Sequence, residues 1–450
     1  MLLYTIVNMT DLIHARMLGN ENLGGFAMKD KMMNTFLEFA TKIQGQRHIN
    51  AIKNGFTNLM PVIIVGSVCV LLSNVVCNTA EGYVSVANLP GMSWLGALKP
   101  IFDAANYGTM NMLAIGACLL VAMELGTSLG QNDWAIPVTA LACYISVVDI
   151  SNGYLDTSVT AAAGLFVALL VALVSTELYC KLVSSGKLSI HMPDSVPSNV
   201  AKSFSILLPC AVTIFAVSAF GFAFSALTGM KVPEAIIKFI QTPLSGVMTH
   251  PLGILLIAFM ICLLWMFGIH GANTLSGIIE PVFLAAYAQN AEAYAAGSAI
   301  PNIVCTPFWS CFFSLTGSGV TGGLLIAIFL FSKREDFKTI AKLALPCGIF
   351  NINEPLIFGI PIVMNPILGI PFLIAPMASV GIAYFLTAIG FCSRMVVNVP
   401  WTTPPLLCGF LAGGGSITGA LTQLIVILVA AVIYSPFVIM LNKQEAPAEE

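Results

Sequence analysis

Charge is what this sequence has least of. Only 9% of its 450 residues are Asp, Glu, Lys or Arg, where soluble domains carry about 25%. Hydrophobic residues make up 58%, and the mean hydropathy is +0.91. A fold of this size in water needs far more charge to cover its surface. That excludes a soluble globular domain, an extracellular scaffold and a disordered chain, and it points to lipid as the solvent. A net charge of −3 and a pI near 6.0 give no basic field for nucleic acid.

Paired cysteines are missing as well. The twelve cysteines stand singly, as at Cys69, Cys77, Cys118 and Cys143, with no CxxC pair. Their apolar neighbours, as around Cys262, mark them as small buried hydrophobes and not as a disulfide or zinc framework. Walker, kinase and zinc-ligand patterns do not occur. The glycine runs at 317–323 and 413–415 lack the Lys-Ser/Thr ending of a P-loop and read as loop or close-packing glycines. Neither a metal nor a cofactor is expected. The N-terminus has no signal-peptide form, because the apolar start at residues 2–7 is too short and Asp11, His14 and Arg16 follow it. Residues 1–32 are expected to form a poorly ordered polar leader, and residues 442–450 a short solvated tail.

What is abundant is apolar sequence in runs of about 17–25 residues, the length that spans a bilayer. The clearest runs are 56–77, 109–128, 134–150, 159–180, 203–228, 251–269, 316–332, 366–390 and 416–441. With the Gly- and Pro-broken material at 272–315 and 344–365, the expected fold is an all-α polytopic membrane protein. It should have about ten transmembrane helices plus re-entrant hairpins and interfacial amphipathic helices, one of the latter over 34–54. Basic residues cluster before the first span (Lys42, Arg47, Lys53), around Lys181, Lys187 and Lys202, and at Lys333, Arg334, Lys338 and Lys342. The positive-inside rule then puts both termini in the cytoplasm. Residues 33–240 read as a scaffold or dimerisation half with conventional spans. Residues 241–441 read as the functional half, because irregular backbone survives at membrane depth only where protein or a water-filled cavity satisfies it.

Three places in that half suit a substrate site. His270 lies just past the end of a span in Gly268-Ile269-His270-Gly271, and it could line a cavity or face the headgroups. Glu354 stands in Phe350-Asn351-Ile352-Asn353-Glu354-Pro355, followed by Gly359, Pro361 and Pro366, which no straight helix accommodates. Such a carboxylate either serves the substrate or holds the free amides of the hairpin. Trp401, in Asn398-Val399-Pro400-Trp401, could stack on a sugar ring or belong to an aromatic belt. Glu124 and Glu177 read as interhelical hydrogen-bonding residues, and His250 as the start of a span.

The segments 268–272, 344–355 and 400–401, together with Gln46–Gly55 and 192–197, resemble the enzyme IIC permeases of the sugar phosphotransferase system, in the lactose, cellobiose and N,N'-diacetylchitobiose branch. The resemblance covers residues 33–441 as one domain. It implies a homodimeric, multi-pass permease of the bacterial inner membrane that carries a β-linked disaccharide inward. It also implies that the sugar is held while a cytoplasmic phospho-IIB protein, charged through IIA, HPr and enzyme I, phosphorylates it. It implies that His270, Glu354 and Trp401 hold the sugar, with Glu354 as general base, and that Asn353, Asn106 and Gly108 are further candidate contacts. No IIB or IIA segment is recognisable, so phosphoryl transfer needs a separate protein. The leader has no counterpart in the resemblance, which makes Met28 or Met32 a candidate natural start. Polarity alone also admits an ion-coupled sugar carrier with a Glu354–His270 proton relay. An enzyme acting on lipid-linked substrates would need clustered charges that are absent from the sequence.

Overall fold

The computed structural model describes residues 38, 41–43, 45–80, 85–148, 155–193, 195–360, 362–363 and 365–442, with the side chains of Ser158 and Pro366 left aside. The chain divides into two compact units, Met1–Gln46 and Arg47–Glu450. Within the first unit residues 41–43 are helical, and the leader expected at 1–32 lies outside the described residues, as does the tail from 443.

The second unit is helical throughout, with no strand among the described residues. Its principal helices are α1 (Arg47–Leu71), α2 (Lys99–Thr109), α3 (Leu113–Ser128), α4 (Ala135–Val147), α5 (Leu165–Ser185), α6 (Ser198–Thr228), α7 (Val232–Met248) and α8 (Pro251–Met266). They continue as α9 (Gly271–Ala295), α10 (Thr306–Phe312), α11 (Thr321–Phe331), α12 (Glu335–Ile349), α13 (Glu354–Gly359), α14 (Pro366–Ala388), α15 (Leu407–Ala412) and α16 (Ile417–Leu441). Among the described residues six helical stretches are long and apolar enough to cross a membrane, or seven if α7 and α8, bent by 75°, make one span. The protein is a multi-pass membrane protein.

The expected spans at 134–150 and 316–332 are shorter than the sequence suggests. α4 has 13 residues and α11 has 11, against the roughly 20 needed to cross. Much of each packs on protein: in α11 Thr321 through Leu325, Ala327 and Ile328 are buried, and in α4 Ile136, Ala140, Cys143 and Tyr144. The amphipathic helix expected over 34–54 does not end there either. From Arg47 onward the backbone runs unbroken to Leu71, so residues 47–54 belong to the first spanning helix.

Small residues let these helices approach one another, as is usual where lipid gives no hydrophobic drive for association. A Cβ on Gly55 of α1 would lie 2.6 Å from Val121 of α3, and one on Gly277 of α9 would lie 2.4 Å from the Ile49 carbonyl of α1. α1, α3, α4, α5 and α6 pack on one another, while α14, α15 and α11 pack against α16. α9 joins these sets by packing on α1. As read from the sequence, Glu124 accepts from Asn54 (3.2 Å) and Asn58 (2.8 Å), and Glu177 pairs with Arg47 (2.8 Å) and His48 (3.0 Å). His250 caps α8, its Nδ1 accepting from the Leu252 N–H. Ten of the twelve cysteines are buried.

Candidate functional site

The site forms where three breaks in helical backbone meet. The first is the joint between α8 and α9. Gly268 takes a left-handed φ of +74°, and the last carbonyls of α8 accept from Phe267, Gly268 and Ile269. His270 then caps α9, its Nδ1 accepting from the Asn273 N–H at 3.2 Å. A ring nitrogen that accepts carries no proton. In the neutral ring the proton is therefore on Nε2, which is left as a donor. The buried indole of Trp265 packs 4.5 Å from the imidazole and fixes its tilt.

The second break separates α12 from α13. Ile349 ends α12, Asn351 turns the chain at φ +63°, and Asn353 precedes the short helix that Glu354 opens. Pro355 suits the first turn, where a missing N–H costs nothing. The carboxylate of Glu354 is half-buried and has no hydrogen-bond or ion-pair partner among the described residues. Trp265 lies 6.5 Å from Phe358 of α13, so the indole that steadies His270 also touches the helix that carries Glu354. Both Glu354 and Lys53 of α1 are within electrostatic reach of the imidazole.

The third break is the turn that bears Trp401. The indole is 55% exposed. Its backbone carbonyl accepts from Asn351 Nδ2 at 2.6 Å, and that of Thr403 from the same nitrogen at 2.9 Å. The turn is thereby tied to the one beside Glu354. Asn353 is 4% exposed, and its Nδ2 donates to the Ser318 carbonyl (2.6 Å) and to Thr321 Oγ1 (3.0 Å). Its amide donors are thus committed to the turn before α11.

Asn106 and Gly108 lie elsewhere. Asn106, on α2, lines a small cleft with Val70, Asn111, Ala288 and Glu292, and its Oδ1 is buried without a partner. Ala288 stands five turns along α9 from His270, about 27 Å at 1.5 Å per residue. A Cβ on Gly108 would meet open space. In this conformation the structure brings together His270, Glu354 and the Trp401 turn, and leaves Asn106 at the far end of α9.

Two residues of the site escaped the sequence reading, and Trp265, visible five residues before His270, had no role assigned to it. Lys53 lies inside the recognised Gln46–Gly55 segment but was counted only for topology. Glu280, in α9, has an Oε2 buried without a hydrogen-bond partner and lies within electrostatic reach of Lys53. A carboxylate within an apolar helix is itself a signal, and here it was legible. No group of His, Cys, Asp or Glu among the described residues is arranged to hold a metal ion.

Residues 53–376 match the family described as "Phosphotransferase system, EIIC". The chain is 34% identical over 430 residues to the lichenan permease IIC component of Bacillus subtilis (strain 168), covering 92% of this chain and 93% of that one. It is 32% identical over 427 residues to the cellobiose-specific EIIC component of Geobacillus stearothermophilus, covering 91% and 93%. The crystal structure of the transporter ChbC, the IIC component of the N,N'-diacetylchitobiose-specific phosphotransferase system, superposes with a TM-score of 0.82 at 32% identity. That superposition covers 90% of this chain and 96% of ChbC. These matches run nearly the whole length of the chain and give no support to an ion-coupled carrier. The chain belongs to the phosphotransferase system EIIC family, the sugar permeases of that system.

Proposed function

We propose that this permease carries a β-linked disaccharide of the cellobiose or N,N'-diacetylchitobiose type and holds it for phosphorylation by a cytoplasmic phospho-IIB protein. The observation that carries the chemistry is the half-buried Glu354 carboxylate, unpaired at a helix break and within electrostatic reach of His270. A carboxylate whose lone pairs are not spent on the protein can accept the proton of a sugar hydroxyl as the phosphoryl group arrives. His270 Nε2–H donates to the same ring, and the exposed indole of Trp401 stacks on its apolar face. Phosphoryl transfer rests chiefly on positioning and on stabilising charge at the phosphoryl oxygens. Lys53 is the cation beside His270 that would supply that field. The disaccharide class is supported by the names of the relatives, which include lichenan, cellobiose and N,N'-diacetylchitobiose components.

Asn353 contributes by fixing the turn beneath Glu354. Asn106 and Gly108 face the opposite end of α9 and would meet sugar only in another state of the transport cycle, in which residues 241–441 have moved against 33–240. A homodimer built on the N-terminal half is supported by α6, whose Phe215, Phe220, Phe222 and Leu227 are exposed. The Arg47–Glu177 pair puts the start of α1 and the end of α5 on one side, which favours a cytoplasmic face there and cytoplasmic termini. The chain does not phosphorylate sugar alone. Membrane lipid surrounds it, and nucleic acid has no part.

The test is Glu354→Gln in the full chain, assayed with phospho-IIB. The amide preserves shape, so disaccharide binding stays within a few-fold while phosphoryl transfer falls by at least 10²-fold. Unimpaired phosphorylation would remove Glu354 from the role of base.

A further inference from the structure

Asn351 is joined to more of the site than any role as a simple turn residue requires. It is 6% exposed and holds a φ of +63°, a conformation that Asn tolerates better than most side chains do. Its Oδ1 accepts from the Thr316 N–H at 2.7 Å, and its Nδ2 donates to the carbonyls of Trp401 at 2.6 Å and Thr403 at 2.9 Å. Both amide protons are therefore used. Three segments converge on this one side chain: the turn before α11, the turn before Glu354 and the Trp401 turn. The last of these is poor in means to hold itself. Pro400, Pro404 and Pro405 carry no N–H, and the indole is too exposed for its orientation to come from packing.

We propose that Asn351 is a positioning residue for the phosphotransfer site, its amide holding the Trp401 turn to the Glu354 turn and so setting the gap in which the sugar ring lies. The assignment rests on the reading of Trp401 and Glu354 given above. Asn351 does not touch the sugar. It acts through the Trp401 and Thr403 carbonyls, which fix the turn that bears the indole.

The experiment uses the full chain labelled with 5-fluorotryptophan, with the Trp401 resonance identified by Trp401→Phe. Cellobiose and N,N'-diacetylchitobiose affinities are measured alongside. Asn351→Asp keeps the size and the acceptor for Thr316 but turns an oxygen toward two carbonyls. Asn351→Gly accepts the left-handed backbone and removes all three bonds without adding charge. Both variants are expected to move the Trp401 fluorine signal, to leave those of Trp265 and Trp309 in place, and to weaken the preferred disaccharide at least ten-fold, the loss also expected of Trp401→Phe. An unmoved Trp401 signal with unchanged affinity overturns the proposal. So does a displacement of all tryptophan signals together, or loss of folding in both variants, because either marks a general structural role. If Trp401→Phe itself binds as the unchanged chain does, the stacking role of Trp401 has failed. The Asn351 anchor then stands or falls on the fluorine shift alone.

Discussion

Replacing Gly317 by Ala tests whether the turn before α11 sets the position of Glu354. Gly317 has a φ of +89°, and a Cβ there would lie 2.2 Å from Asn353 Cγ, 2.5 Å from its Oδ1 and 2.6 Å from its Nδ2. Two costs add. Forcing Ala into left-handed backbone costs about 1–2 kcal/mol. The contact is far inside van der Waals range, so Asn353 must move and give up its bonds to the Ser318 carbonyl and Thr321 Oγ1. Leaving those buried groups unpaired costs about 2–3 kcal/mol. The sum is about 3–5 kcal/mol, shared between the turn before α11 and Asn353, the residue that directly precedes Glu354.

If the strain stays local, the site-competent conformation is depopulated, and apparent sugar affinity falls by about 10²-fold or more, at roughly 1.4 kcal/mol per decade. If it spreads, the melting temperature of the detergent-solubilised protein drops. Equilibrium disaccharide binding and a thermal melt, run side by side, register either result. Gly246→Ala is the control, since a Cβ there meets nothing and the backbone is helical. A Gly317→Ala protein that binds and melts like the unchanged chain would refute the claim that the Gly317–Asn353 contact holds the site.

His270→Ala removes the Nε2 donor and the cap on the Asn273 N–H; disaccharide binding by titration calorimetry should weaken by roughly 1–3 kcal/mol, and unchanged affinity would make His270 a cap only. Lys53→Met keeps the apolar stem and deletes the charge. Sugar affinity should stay within a few-fold while single-turnover phosphorylation by phospho-IIB slows at least ten-fold, and an unaffected rate removes Lys53 from the chemistry. Tyr144→Phe deletes a buried hydroxyl that donates to the Val159 carbonyl at 2.6 Å. It should lower stability by about 1–2 kcal/mol in a thermal melt without changing sugar affinity.

The membrane character was legible because 9% charge leaves no other solvent. His270 and Glu354 were legible because Gly and Pro breaks at membrane depth demand a reason. Helix length was less so. Composition does not distinguish an apolar side chain that faces lipid from one buried in protein, and the first two turns of α11 are buried in protein while Leu330 near its end is exposed. Gly317 and Gly319 read correctly as loop or close-packing glycines, yet their partners, Asn353 and Phe372, are tertiary facts beyond any local pattern. Asn351 counted only as part of the broken stretch around Glu354. Its importance lies in the Trp401 and Thr403 carbonyls, 50 and 52 residues away.

The pattern of amides bears on the choice left open at Glu354, between serving a substrate and holding the free backbone groups of the hairpin. In the C-terminal half that second task falls largely to carboxamides, with Arg394 serving the Ile300 and Pro301 carbonyls. Asn290 donates to the Asn302 and Met395 carbonyls and accepts from the Asn302 N–H. Gln423 accepts from the Leu406 and Gly409 N–H groups and donates to the Cys311 carbonyl. Asn365 accepts from Ile367 and Leu368, while Asn351 and Asn353 both bind the turn before α11. A carboxamide both donates and accepts, and its burial avoids the desolvation cost of an ion. With these backbone groups already satisfied, the Glu354 carboxylate holds none of them among the described residues. Its lone pairs are left open to a ligand. The choice therefore falls on the substrate reading, which phosphoryl transfer by the Glu354→Gln chain tests.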